Sequence, residues 1–184
     1  MNDTASTSPK AAVTGSLKAR KTAARLFAVQ AVYQAIQNGV APNTLYEEFM
    51  TLRVGMDLEG GAMVTPDGPM FRSLLSGISD RWGDLQQIIS PRLSSSYVEP
   101  LLTSILLCGA FELLAHHDID TPIIISDYLH ITAGFFEGTE TKLVNGVLDA
   151  LAKATTRSYF SPRSMICFAN WKHSSPICSQ VGAT

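Results

Sequence analysis

Most of what would commit a chain of 184 residues to export, membrane insertion or catalysis is missing here. Its three cysteines, Cys108, Cys167 and Cys178, contain no CxxC pair and suggest no disulfide framework. Cys108 reads as a buried helix residue. No apolar run reaches the roughly 18 residues of a membrane span. Met1 to Ser16 is rich in Ser, Thr and Ala without a continuous apolar stretch, so it does not read as a signal peptide. A cytoplasmic protein without membrane contact is expected. There is no GxxxxGK phosphate loop, GxGxxG, GxSxG elbow or HExxH, which argues against an enzyme and against a cofactor. Cys167, His173 and Cys178 match no common zinc spacing and lack a fourth ligand, so no metal is expected.

What remains is a globular chain, 46% hydrophobic and 16% charged, with room for one domain and a modest core. Residues 1–16 read as a leader, with Ser16 placed to cap a helix running to Asn38 and Gly39. After Pro42, Thr44 to Glu47 has capping-box spacing and opens a helix over 44–54. Residues 55–69, rich in glycine and carrying Pro66 and Pro69, predict a long loop. Phe71, Leu74, Leu75, Ile78, Trp82, Leu85 and Ile89 recur at three- and four-residue steps, predicting one helix over 69–90. A fourth helix starts near Glu99 or Pro100 and is apolar over more than half its circumference. Asp120 and Pro122 open a fifth to about Phe136, and Thr139 to Thr156 forms the last. The expected fold is all-α, with six to seven helices over residues 17–157. Residues 158–184 show neither helical nor alternating period and read as an irregular tail.

The net charge of −2 hides an asymmetry. Lys10, Lys18, Arg20, Lys21 and Arg25 face only Asp3 within residues 1–25, giving +4 there and leaving −6 for the rest. At about 100° per residue, Lys18, Lys21 and Arg25 share a meridian with Val29, Val32, Tyr33 and Ile36, so the cations replace the apolar stripe at one end. Cations at a helix N-terminus oppose the macrodipole, and an anion beside the free N–H groups would relieve that cost. Phosphate is the natural candidate; solubilising charge is the alternative.

Other polar residues carry less. His116 and His117 precede Asp118 at a helix end, where the dipole accounts for them. His130, three residues after Asp127, suggests a local hydrogen-bonded pair. Glu112 lies inside the apolar helix, where a carboxylate needs a partner; a structural hydrogen bond or ion pair is expected ahead of catalysis.

Four segments in order carry a resemblance. Ala24-Arg25-Leu26-Phe27-Ala28-Val29-Gln30-Ala31-Val32-Tyr33 resembles the A-R-x-x-A-[VL]-Q-x-[LV]-Y opening of the NusB family of transcription antitermination factors. Phe71-Arg72-Ser73-Leu74-Leu75-Ser76-Gly77, Gly109-Ala110-Phe111-Glu112-Leu113 and Leu143-Val144-Asn145-Gly146-Val147-Leu148-Asp149 follow in register, the last being the most specific. The resemblance implies two small packed helical bundles and a non-catalytic RNA-binding protein. It also implies a small-subunit ribosomal protein as partner, a boxA element in single-stranded ribosomal RNA leaders as ligand, and work within the RNA polymerase antitermination complex. The family's RNA surface falls on Lys18, Arg20, Lys21 and Arg25, with Tyr33 and Leu143 expected near its edge. Asn145 and Asp149 are expected to serve capping or interhelical hydrogen bonds.

The chain departs from the pattern in four places. Arg20-Lys21-Thr22-Ala23 stands where several arginines are common, Leu143 where an aromatic is common, and Ile125-Ser126-Asp127 where I-N-E or I-D-E is usual. The tail after Arg157 has no counterpart. Two rival readings follow: a helical interaction module or homodimer that touches no RNA, and an RNA-binding domain like those joined to rRNA cytosine methyltransferases.

Overall fold

The computed structural model describes residues 15–54, 57–58, 61–62, 64–93 and 98–159. Cys167, His173 and Cys178, for which no metal site was expected, and most of the leader and tail lie outside them.

Helix α1 spans Leu17–Asn38. The Ser16 hydroxyl accepts from the Ala19 N–H at 3.2 Å, supplying one of the acceptors that a first turn lacks. The helix stops at Gly39, whose φ of 65° lies in the left-handed region that favours glycine. The expected second helix is a composite. A 3₁₀ turn, Pro42–Leu45, leads into one α turn, α2 (Tyr46–Glu48), and a π turn, Phe49–Arg53. No capping box forms, because the Thr44 hydroxyl turns back to the Ala41 carbonyl at 2.7 Å.

Within the expected long loop the structure holds a minimal antiparallel ladder, β1 (Asp57–Leu58) with β2 (Gly61–Ala62), pairing Asp57 with Ala62 and Leu58 with Gly61. The third helix is two. α3 (Gly68–Asp80) and α4 (Trp82–Ile89) meet at Arg81, whose φ of −120° and ψ of 19° leave the helical region. The apolar period continues across the break, so the sequence pattern reads as one helix. After α5 (Pro100–Ala115), α6 (Thr121–Phe135) and α7 (Thr139–Tyr159) complete the chain. Glu99 caps α5 by accepting from the Leu102 N–H, and Pro100 takes its first turn. Asp120 precedes α6 without a side-chain cap bond.

α5 is central. It packs on α1, α3, α4, α6 and α7, and this explains why Leu102, Ile105, Leu106, Leu107, Cys108 and Ala110 are all buried around its circumference. Two groups of helices share it: α1, α3 and the short turns of α2 on one side, α6 and α7 on the other. Phe27, Phe49 and Phe71 anchor the first group, with ring centroids 5.9–6.1 Å apart in edge-on and tilted arrangements. Val144, Val147, Leu148 and Leu151 seal α7 in the second. Among the described residues no helix is long and apolar enough to cross a membrane.

Candidate nucleic-acid interface

The meridian shared by cations and apolar residues on α1 divides with depth. Val29 and Val32 are fully buried, and Arg25, one turn earlier, is buried with them at 2% exposure. Each nitrogen of its guanidinium has a carboxylate partner inside the protein. Nε donates to both oxygens of Glu112 at 3.0 Å, Nη2 to Glu112 Oε1 at 2.5 Å, and Nη1 to Asp127 Oδ2 at 2.6 Å. Thr22 donates to the same Asp127 oxygen at 2.8 Å, and the Tyr128 hydroxyl donates to Glu112 Oε2 at 2.9 Å. Burial works to lower the Arg25 pKa, but the hydrogen bond and charge of Glu112, with Tyr128 and Asp127, outweigh it and leave the group above its ordinary value.

The expectation that Arg25 contacts RNA is therefore corrected: a guanidinium with 2% exposure and two carboxylate partners has no face for a phosphate. The pairing of His130 with Asp127 is corrected too, because the Asp127 carboxylate points inward to Arg25 and Thr22. Glu112 keeps its expected structural role, as one end of a buried ion pair. Both halves of this network were visible in the chain. Arg25 sits on a core meridian and Glu112 inside an apolar helix, and two opposite charges at core positions call for each other. What the sequence withheld was that α5 and α6 meet α1 at that level, bringing in Asp127 and Tyr128 from 102 and 103 residues away.

The first turn of α1 remains as the basic surface. Lys18 is exposed, Arg20 and Lys21 are partly exposed, and the turn contains no acidic residue. The Asp67 N–H donates to the Arg20 carbonyl at 3.0 Å, so α3 starts against this end of α1. Gly15 lies against Val64, three residues before Asp67: a Cβ there would fall 2.7 Å from Val64 Cγ1. Tyr33, four turns on, is 36% exposed at the rim of the core. Leu143 is half-buried and rests on the core from α7, so it is not a free-standing platform. Asn145 is exposed, and Asp149 accepts from Lys153 at 2.6 Å within α7 rather than bonding across helices. Among the described residues no group of three or more His, Cys, Asp or Glu could hold a metal ion. A groove of about 400 Å³ lined by Ala35, Ile36, Val40, Pro42 and Trp82 lies at the other end of α1, away from the lysines.

The model of the NusB family matches residues 22–153, most of the chain. The chain belongs to the NusB family. It is 37% identical to the transcription antitermination protein NusB of Novosphingobium aromaticivorans over 137 residues, covering 72% of this chain and 93% of that relative. The NusB protein of Caulobacter vibrioides is 34% identical over 137 residues, with 72% and 92% covered. Among solved structures, T. maritima NusB superposes with a TM-score of 0.61 at 20% identity, covering 77% of this chain and 93% of that one. A crystal structure of the antitermination factors NusB and NusE in complex with dsRNA gives 0.63 at 20% identity, covering 76% and 99%. These likenesses establish the all-α NusB fold. The family match begins at Thr22, so Lys18, Arg20 and Lys21 lie just outside it while Arg25 and its partners lie within.

Proposed function

We propose that this chain is a transcription antitermination factor that binds single-stranded boxA-type leader RNA together with a small-subunit ribosomal protein, supporting transcription of ribosomal RNA. The observation that carries the RNA reading is the acid-free, cationic first turn of α1, projecting beyond the buried core of a NusB-family fold. Lys18, Arg20 and Lys21 hold phosphates there, helped by the helix N-terminus. The structure of NusB with NusE and dsRNA supports a shared protein–RNA assembly as the working form.

With Arg25 withdrawn, three cations remain. If each neutralises one phosphate, the single-strand coefficient of about 0.7 predicts a log–log salt slope near −2. Titrating a boxA-type RNA against the wild type and a Lys18→Glu/Lys21→Glu variant tests this. Affinity should fall at least tenfold in the variant and the slope should flatten; equal affinity would remove the first turn from the RNA surface. Adding the ribosomal partner should tighten wild-type binding. Light scattering in the same series separates this reading from a homodimer, which would show doubled mass without RNA.

A further inference from the structure

Arg72 is an exposed arginine that is nevertheless held in place. It follows the buried Phe71, and the 100° step between neighbours carries it out of the core and onto the flank of α3 facing α2. Its Cζ lies 3.9 Å from the centroid of the Tyr46 ring. Tyr46 in turn stacks on Phe71, with centroids 5.3 Å apart and ring planes 30° apart. Glu47 Oε1 accepts from Nη2 at 3.2 Å. The Arg72 side chain is still 60% exposed. An unrestrained surface arginine loses much rotamer freedom when it binds. Here a ring beneath and a carboxylate at the edge have already fixed the guanidinium, leaving surface open to solvent.

Its position bears on the basic end of α1. α3 starts against Arg20, and a Cβ on Gly68 would lie 3.3 Å from the Tyr46 hydroxyl, so that ring borders the first turn of α3. Arg72 comes four residues after Gly68, about 6 Å further along the axis at 1.5 Å per residue. The chemistry at this point differs from that at the lysines. Glu47 beside the guanidinium repels a phosphate, whereas a neutral aromatic plane on the open guanidinium meets no such charge. Nucleobases stack on arginine planes in single-strand recognition.

We propose that Arg72, laid over Tyr46, is a base-stacking platform of the RNA site, taking an unpaired nucleobase while Lys18, Arg20 and Lys21 hold the backbone. This rests on the RNA-binding reading given above. The platform stands on α3 rather than at Leu143, where an aromatic is absent.

The test uses a single-stranded boxA-type RNA carrying 2-aminopurine at successive positions, with the full-length protein and its Arg72→Ala and Arg72→Lys variants. Wild type should quench 2-aminopurine at one or two positions. Arg72→Ala should lose that quenching and bind roughly five- to hundredfold more weakly, the range for one stacked base. Arg72→Lys keeps the charge and loses the plane, so it should resemble Arg72→Ala in quenching and affinity while keeping the wild-type salt slope. Thermal melts should be close to wild type, since the replaced group is on the surface. Wild-type quenching and affinity in Arg72→Lys would overturn the stacking role, as would unchanged binding by Arg72→Ala. If Lys18→Glu/Lys21→Glu weakens binding and the Arg72 variants do not, only the platform falls. If neither set alters binding, or wild type binds no RNA, the RNA reading of this face falls with it.

Discussion

Arg25 shows how a single residue's role turns on depth rather than charge. Breaking a buried pair strands the remaining charges, so Arg25→Met should lower the unfolding free energy by about 3–5 kcal/mol in urea titration. At a temperature where the variant remains folded, its RNA affinity should stay within about twofold of wild type. A tenfold loss there would restore Arg25 to the RNA surface. The neighbours of Glu112 add an alkaline signature. Burial, followed by the charge of Glu112, pushes the Cys108 thiol well above its ordinary 9.0 and the Tyr128 phenol well above its ordinary 10.0. Both groups therefore stay protonated in the folded protein where the unfolded chain would release the proton. Their contribution is intact below those ordinary values and is lost as pH rises past 9 and then 10. Unfolding titrations from pH 8 to 11 should show stability falling from about pH 9, less steeply in Cys108→Ala. In a Cys167→Ser/Cys178→Ser background, the Cys108 thiol should not react with a thiol reagent at neutral pH until denaturant is added.

At the scale of elements, two helical glycines have opposite roles. A Cβ at Gly77 would sit 1.9–2.8 Å from three ring carbons of Phe111, so the absent side chain lets α3 lie against α5. Gly77→Ala should destabilise by about 1–3 kcal/mol, since the ring must be displaced within a packed interface. Gly146, in the middle of α7, has open space where a Cβ would be and is exposed. Gly146→Ala should raise stability by up to about 1 kcal/mol by helix propensity alone. Calorimetry on the two variants checks both signs; destabilisation by Gly146→Ala would mean that α7 departs from the regular helix described here. The elements also show where a pattern informs and where it misleads. α1, α5, α6 and α7 were legible because the helical period is supported by a cap at α1 and α5 and by a first-turn proline at α5 and α6. The break at Arg81 was not, because the apolar spacing on both sides stays in step and only the backbone angles change. The turns between Pro42 and Arg53 were overread as one helix, since the capping-box spacing of Thr44 and Glu47 is present in the sequence while the Thr44 hydroxyl bonds to the Ala41 carbonyl instead.

For the whole molecule, the sealed core reaches Leu151 and the family match ends at residue 153. A chain ending at Tyr159 is therefore expected to keep its urea midpoint, within about 0.5 kcal/mol, and its RNA affinity; loss of either would bring residues 160–184 into the working protein. What the sequence by itself determined was local or additive: helix periodicity, the caps at Ser16 and Gly39, the apolar girth of α5 and the cationic opening of α1. Those follow from side chains a few residues apart on one strand of backbone, where spacing alone sets the geometry. The family was legible for a related reason, since its four motifs are runs of adjacent residues. Only the tertiary structure decided which cations remain outside. Lys18, Lys21 and Arg25 share one meridian and look equivalent in one dimension. They differ because α5 and α6 close over Arg25 with two carboxylates, whereas among the described residues no carboxylate pairs with Lys18 or Lys21. The burial of Arg25 is set by partners 87 and 102 residues away, and the stack of Arg72 on Tyr46 likewise joins two different elements. The electrostatic work available to a charge depends on that solvent boundary, which periodicity along a single helix does not contain.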